Sequence, residues 1–242
     1  MYRTSMIRFV SAAGFTGALI LAGAVAAGPL EDARTAFAAG DYARALSLWR
    51  SQAEIGNPEA QDHVGLSYLA GKGVAKDDAE AVHWFRMAAQ KGLADAEFNL
   101  AECYAGGHGV PQDPTAASEL YAKAADQGHA GAEYKMGVLL RAGTDLQSVL
   151  LDAAEWFKKA ADQGVIPAQV NLAAMFADGQ GVPQDNVEAL KWLDIVARRL
   201  PDSDATYLDA VNKIRAALAA KMTAEQIAYA EGFADRWEPT GP

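Results

Sequence analysis

Residues 60–92 read AQDHVGLSYLAGKGVAKDDAEAVHWFRMAAQKG, and the spacing within them decides the fold. Ala60, Val64, Gly65 and Tyr68 fall at i, i+4, i+5 and i+8, one face of a helix. Ala81, Trp84, Phe85, Ala88 and Ala89 fall at i, i+3, i+4, i+7 and i+8, the face of a second. Small residues let the two helices approach and the large ones fill the space between them. The stretch that joins them, Gly71-Lys72-Gly73-Val74, supplies glycine where the chain leaves one helix with positive φ. Asp77 then stands where the second helix needs an N-cap.

The same unit recurs. Gly71, Gly107, Gly143 and Gly179 lie 36 residues apart, as do Ala81, Ala117, Ala153 and Ala189. At that interval the large pair runs Trp84-Phe85, Leu120-Tyr121, Trp156-Phe157 and Trp192-Leu193, of which Trp156 is expected in the core. Gly107-His108-Gly109-Val110 and Gly179-Gln180-Gly181-Val182 repeat the loop, Asp113 and Asp185 repeat the cap, and Pro114 takes the first helical position. A period between about 20 and 50 marks an array of stacked units. The glycine loops do not cradle phosphate: a dinucleotide loop needs G-x-G-x-x-G between a strand and a helix, and here both flanks are helical.

The pattern Ala-x3-Val/Leu-Gly/Ala-x2-Tyr-x2-Gly-x-Gly-Val-x2-Asp-x3-Ala-x2-Trp-Phe-x2-Ala-Ala-x2-Gly resembles the Sel1-like repeat, a relative of the tetratricopeptide repeat. The resemblance covers residues 57–200 as four units, 57–92, 93–128, 129–164 and 165–200. It implies an all-α fold, a right-handed superhelical solenoid of antiparallel helical hairpins. Ahead of the units, residues 27–56 look like a tetratricopeptide hairpin with a short turn, on Ala39-Gly40-Asp41-Tyr42 and the later Trp49 and Ala53. Two units depart from the pattern. The third keeps Gly143 but has Asp145, Leu146 and Val149 for the second glycine, the valine and the capping aspartate, with Ser148 as the substitute cap. In the fourth, Leu200-Pro201 replaces the closing glycine. Residues 201–242 read as two capping helices: one with a stripe of Leu208, Val211, Ile214 and Leu218, then one opened by the capping box Thr223-Ala224-Glu225-Gln226 and carrying Phe233 and Trp237.

Residues 1–26 are expected to be a secretory signal peptide. Arg3 and Arg8 precede an uncharged run to Gly28, and Ala24-Val25-Ala26 forms a cleavage signal, with Val25 and Ala27 as a second choice. The alternative is a retained membrane anchor. Cleavage leaves no membrane span, and the chain is expected in the periplasm or secreted. Its 31 acidic against 21 basic residues give a net charge of -10, which repels polyphosphate and makes nucleic acid a poor partner. The one cysteine, Cys103, has no disulfide partner in the chain and occupies the repeat slot of Ser67, Leu139 and Met175, the place of a packed thiol.

No catalytic, metal or cofactor site is expected. His63, His83, His108 and His129 never fall at i, i+4, and neither G-x-S-x-G nor S-x-x-K occurs. Paired carboxylates such as Asp77-Asp78, and Asp202 with Asp204, sit at helix starts, where they answer the helix dipole. The expectation is therefore a scaffold or adaptor for a protein or peptide partner. An envelope enzyme, or a cell-wall or polysaccharide binder with a site in the groove, is the alternative. By resemblance to the tetratricopeptide hairpin, the inner helices turn Asp62, Phe98, Asn99, Glu102, Tyr134, Lys135, Arg141 and Asn171 to the concave side. Phe98 and Tyr134 are expected to be neighbours, as an aromatic pair ringed by polar groups. The oligomeric state is left open.

Overall fold

Each glycine loop reverses the chain in the same way, and the computed structural model, which describes residues 28–240, shows what each position does. Gly71, Gly107 and Gly179 end their helices with φ of 66°, 71° and 69°, the left-handed region that favours glycine. The second glycines, Gly73, Gly109 and Gly181, press against the first turn of the outer helix one hairpin earlier, at Tyr42, Asp78 and Leu150, where a Cβ would collide with backbone. Asp77, Asp113 and Asp185 close the loop at both ends. Their backbone N–H groups donate to the carbonyls of Tyr68, Tyr104 and Phe176 at 3.1, 3.0 and 2.8 Å. Their carboxylates accept from the first backbone N–H groups of the following helix, at 2.8–3.1 Å.

Among the described residues there are twelve α-helices: α1 (Pro29–Ala38), α2 (Tyr42–Glu54), α3 (Pro58–Ala70), α4 (Asp78–Ala89), α5 (Ala94–Gly106), α6 (Pro114–Asp126), α7 (Ala130–Arg141), α8 (Gln147–Asp162), α9 (Ile166–Asp178), α10 (Asn186–Arg199), α11 (Ala205–Ala219) and α12 (Ala224–Ala234). They form an all-α solenoid of antiparallel hairpins: α1 with α2, then α3 to α10 as four repeats, each helix packing on the next in sequence. By the tetratricopeptide convention the odd-numbered helices to α9 are called the inner helices and the even-numbered ones to α10 the outer. The expected signal segment, residues 1–26, lies outside the described residues.

The core runs down the middle of the stack, and in the first three repeats it separates the two large residues. Phe85, Tyr121, Phe157 and Leu193 are buried. The inner helix makes room for the two phenylalanines with glycine: a Cβ on Gly65 would come within 2.6 Å of the Phe85 ring, and one on Gly137 within 2.7 Å of Phe157. Ala101 and Ala173 stand at the same position in the clusters that hold Tyr121 and Leu193, respectively. In the first three repeats the residue before the buried ring is only partly buried, while Trp192 in the fourth is buried as well. Trp156 is only partly buried, contrary to expectation, because it reaches back onto the cluster of Ala101, Tyr121 and Ala125 in the preceding repeat. Trp84 does the same against Ala45, Trp49 and Ala60. Cys103 is buried, and burial pushes its thiol up to about 11, so it is a packed side chain.

Three local expectations are corrected. Ser148 does not cap α8, which begins a residue earlier; Thr144 Oγ1 instead accepts from the Leu146 N–H at 3.1 Å. Without the second glycine the third loop cannot press onto its neighbour, α7 stops at Arg141, and Leu139 stands 44% exposed where Ser67, Cys103 and Met175 are buried. In α11, Val211 and Leu218 are buried but Ile214 faces out. The inward place is taken by Arg215, whose Nε lies 2.6 Å from the fully buried carboxylate of Asp194. Trp237 falls past the end of α12, where it meets Trp192 edge-on at 6.2 Å and helps cover the last repeat. The capping box of Thr223 and Gln226 is formed.

Candidate functional site

Of the eight residues expected on the inner face, the six polar ones meet in pairs that cross the repeat boundaries. Asn99 Nδ2 on α5 donates to Asp62 Oδ1 on α3 at 2.9 Å. Lys135 on α7 reaches Glu102 on α5 at 2.7 Å, and the Tyr121 hydroxyl donates to the same carboxylate. Arg141 at the end of α7 donates to Asn171 Oδ1 on α9 at 2.6 Å and to Gln180 Oε1 in the fourth loop at 3.2 Å. Each inner helix is thus tied to the next by a polar rung. Asp62 is buried, and burial lifts its carboxyl to about 6; the Asn99 bond opposes the lift, while Asp95 and Glu59 add to it.

The two rings do not form the expected pair among the described residues. Phe98 stacks on His129 at 4.5 Å and lies against Tyr121, while Tyr134 turns toward Phe157 at 6.0 Å. His129 draws Phe98 forward because it caps α7: its Nδ1 accepts from the Ala132 N–H at 3.1 Å, which fixes the ring at the repeat boundary. Burial lowers the basicity of that imidazole. His83 and His108 are exposed, and among the described residues no three His, Cys, Asp or Glu side chains are grouped to hold a metal.

A second row escaped the sequence reading. Gln61, Glu97, Glu133 and Gln169 recur every 36 residues and are all buried. Thirty residues after each come Lys91, Gln127, Gln163 and Arg199. Where the first member is Gln, its amide donates to a carbonyl of the previous outer helix, Ala53 or Ala161, at 3.0 Å, and the cation donates to the carbonyl of Gly56 or Gly164. Where it is Glu, it cannot donate, and the later Gln supplies the proton: Gln127 to Glu97 at 2.6 Å, Gln163 to Glu133 at 2.8 Å. The shared period was the signal that could have exposed this row.

The Sel1 repeat profile matches residues 58–93, 94–129, 130–165 and 166–198, more than half of the chain. The chain belongs to the Sel1 repeat family. Among solved structures it is similar to a Sel1 repeat protein from Oxalobacter formigenes, at 34% identity over 70% of this chain and 49% of that one, with a TM-score of 0.63. It is also similar to a protective antigen present in uropathogenic Escherichia coli strains that displays an SLR fold, at 27% identity over 87% of this chain and 52% of that one, TM-score 0.56. The chain therefore spans about half the length of both. Comparison with curated proteins gives no match. Membership of the Sel1 repeat family identifies a scaffold-type fold, one that is typically non-catalytic. Among the described residues no helix is long and apolar enough to cross a membrane.

Proposed function

We propose that this Sel1 repeat protein is an exported scaffold or adaptor that binds a protein or peptide along its inner-helix face, in the periplasm or outside the cell. The observation that carries the reading is the ladder of inter-repeat pairs. Glu102 and Lys135 keep 42% and 36% of their side-chain surface exposed while holding each other in place. Polar groups fixed before a partner arrives lose less conformational freedom on binding, which leaves more of each contact as affinity. Partly exposed Leu66, Val138 and Leu139 on the same inner helices supply apolar surface beside them.

Affinity capture from envelope extract with the parent chain, compared with Lys135→Glu and Arg141→Glu, tests the face. A partner retained by the parent and lost with both variants is the expected outcome; a partner retained equally by all three would contradict the reading. Export rests on the segment 1–26, and intact-mass measurement of the envelope form is expected to find an N-terminus at Ala27 or Gly28. The full 25.6 kDa chain in the cytoplasm would overturn it.

A further inference from the structure

At the N-terminal end of the stack, α1, α2 and α3 enclose a pocket of about 400 Å³ with walls of Phe37, Trp49, His63, Leu66 and Ala70. That volume falls within the range of small-ligand sites, about 300–1,000 Å³. The walls are mostly apolar, with His63 and Ser67 set among them, and two cations stand at the rim. Lys72 is half-buried at the rim, its Nζ 4.7 Å from the centre of the Phe37 ring and 5.1 Å from that of Tyr42, with no carboxylate partner among the described residues. Arg34, also at the rim, is already engaged by Glu31 and Glu59. Trp49 is buried, its indole N–H has no acceptor, and His63 stacks on it at 4.5 Å.

A pocket of this make selects an apolar body that carries its own acceptor. A chain terminus satisfies both demands on a single residue, since the carboxylate and the side chain leave the same Cα. We propose that this pocket receives the C-terminal residue of a peptide partner, its bulky apolar side chain against Phe37, Trp49 and Leu66 and its free carboxylate on Lys72. The site lies on the inner helix α3, so the rest of the peptide runs onto the polar ladder; the proposal rests on the partner-binding reading above and names how the partner is recognised.

Fluorescence anisotropy of the purified chain tests it, with labelled Gly-Ser-Gly-Ser-Phe and Gly-Ser-Gly-Ser-Leu as free acids and as C-terminal amides. The free acids are expected to bind at micromolar concentration and the amides at least tenfold more weakly. Lys72→Gln is expected to erase that difference and Leu66→Glu to abolish binding, while Lys158→Gln on the outer helix α8 leaves it unchanged. Circular dichroism of each variant confirms the fold. Equal binding of acid and amide, or no saturable binding up to millimolar peptide, would overturn the proposal. So would 3-phenylpropionate competing as well as the peptide, which would make the occupant a small acid. If the face variants abolish capture while acid and amide bind alike, the pocket proposal falls and the scaffold reading stands. If the acids bind selectively while the face variants capture as the parent does, the pocket proposal stands and binding along the polar ladder falls.

Discussion

Asn99 donates to Asp62 at 2.9 Å across the boundary of the first two repeats, and the carboxylate that receives the bond is buried. The folded-state pKa of Asp62 is about 6, above its ordinary 3.8, so the folded chain holds more protons than the unfolded one between those values. Stability from this group is therefore fully present below pH 4 and is lost as the pH rises through 6, by about 1–3 kcal/mol. Asp62→Asn removes the charge and keeps an acceptor for Asn99. Urea denaturation is expected to find the variant more stable than the parent at pH 7.5 and equal to it at pH 4. A variant no more stable than the parent at pH 7.5 would contradict the burial cost assigned to the Asp62 charge. Burial also lifts Glu97, Glu133 and Asp194, so the difference between variant and parent is the quantity to read.

Core substitutions are expected to rank by burial and not by ring size. Phe157→Ala should cost about 3–5 kcal/mol, and Trp156→Ala less, because Phe157 is enclosed opposite Gly137 while Trp156 keeps one side in water and a lysine, Lys159, 3.8 Å above its ring. Chemical denaturation of the two variants decides it; a loss at Trp156 equal to or larger than that at Phe157 would contradict the ranking by burial.

The loop glycines separate strain from collision. Gly128 has φ 83° with open space around it, so Gly128→Ala is expected to cost about 1–2 kcal/mol from backbone strain alone. Gly109 has φ 71° and lies against the backbone of Asp78, so Gly109→Ala adds a clash between neighbouring hairpins and is expected to lower the melting temperature further. A smaller effect at Gly109 would contradict the packing of loop on helix.

The buried row admits a swap. Gln163→Ala strips the donor from Glu133 and is expected to cost about 1–3 kcal/mol. Glu133→Gln with Gln163→Lys recreates the Gln61 and Lys91 arrangement of the first repeat and is expected to stand close to the parent. If the double variant melts as low as Gln163→Ala, the two arrangements are not interchangeable.

Helices, loops and caps were readable because each rests on local chemistry. Gly71 ends α3 and Asp77 opens α4 through atoms within a few residues, and the 36-residue period repeats the message. What could not be read there depends on which way a side chain turns across a boundary. Phe98 stacks on His129 instead of pairing with Tyr134 because the imidazole caps α7, a role that a histidine does not advertise in sequence. Arg215 faces inward where Ile214 was expected because Asp194 lies beneath it, twenty-one residues away. Of the inner-face residues, the period placed all eight on neighbouring helices, yet it could not show that Asp62, Glu102 and Arg141 are each held by a partner on the next inner helix.

The most direct test measures dissociation constants of the captured partner for face-specific variants. Lys135→Glu and Arg141→Glu on the inner helices are expected to weaken binding at least tenfold, and Lys158→Glu on the outer helix α8 to change it less than twofold. Unchanged affinity in the inner-face variants, or a loss confined to the outer-helix variant, would contradict binding along the inner face.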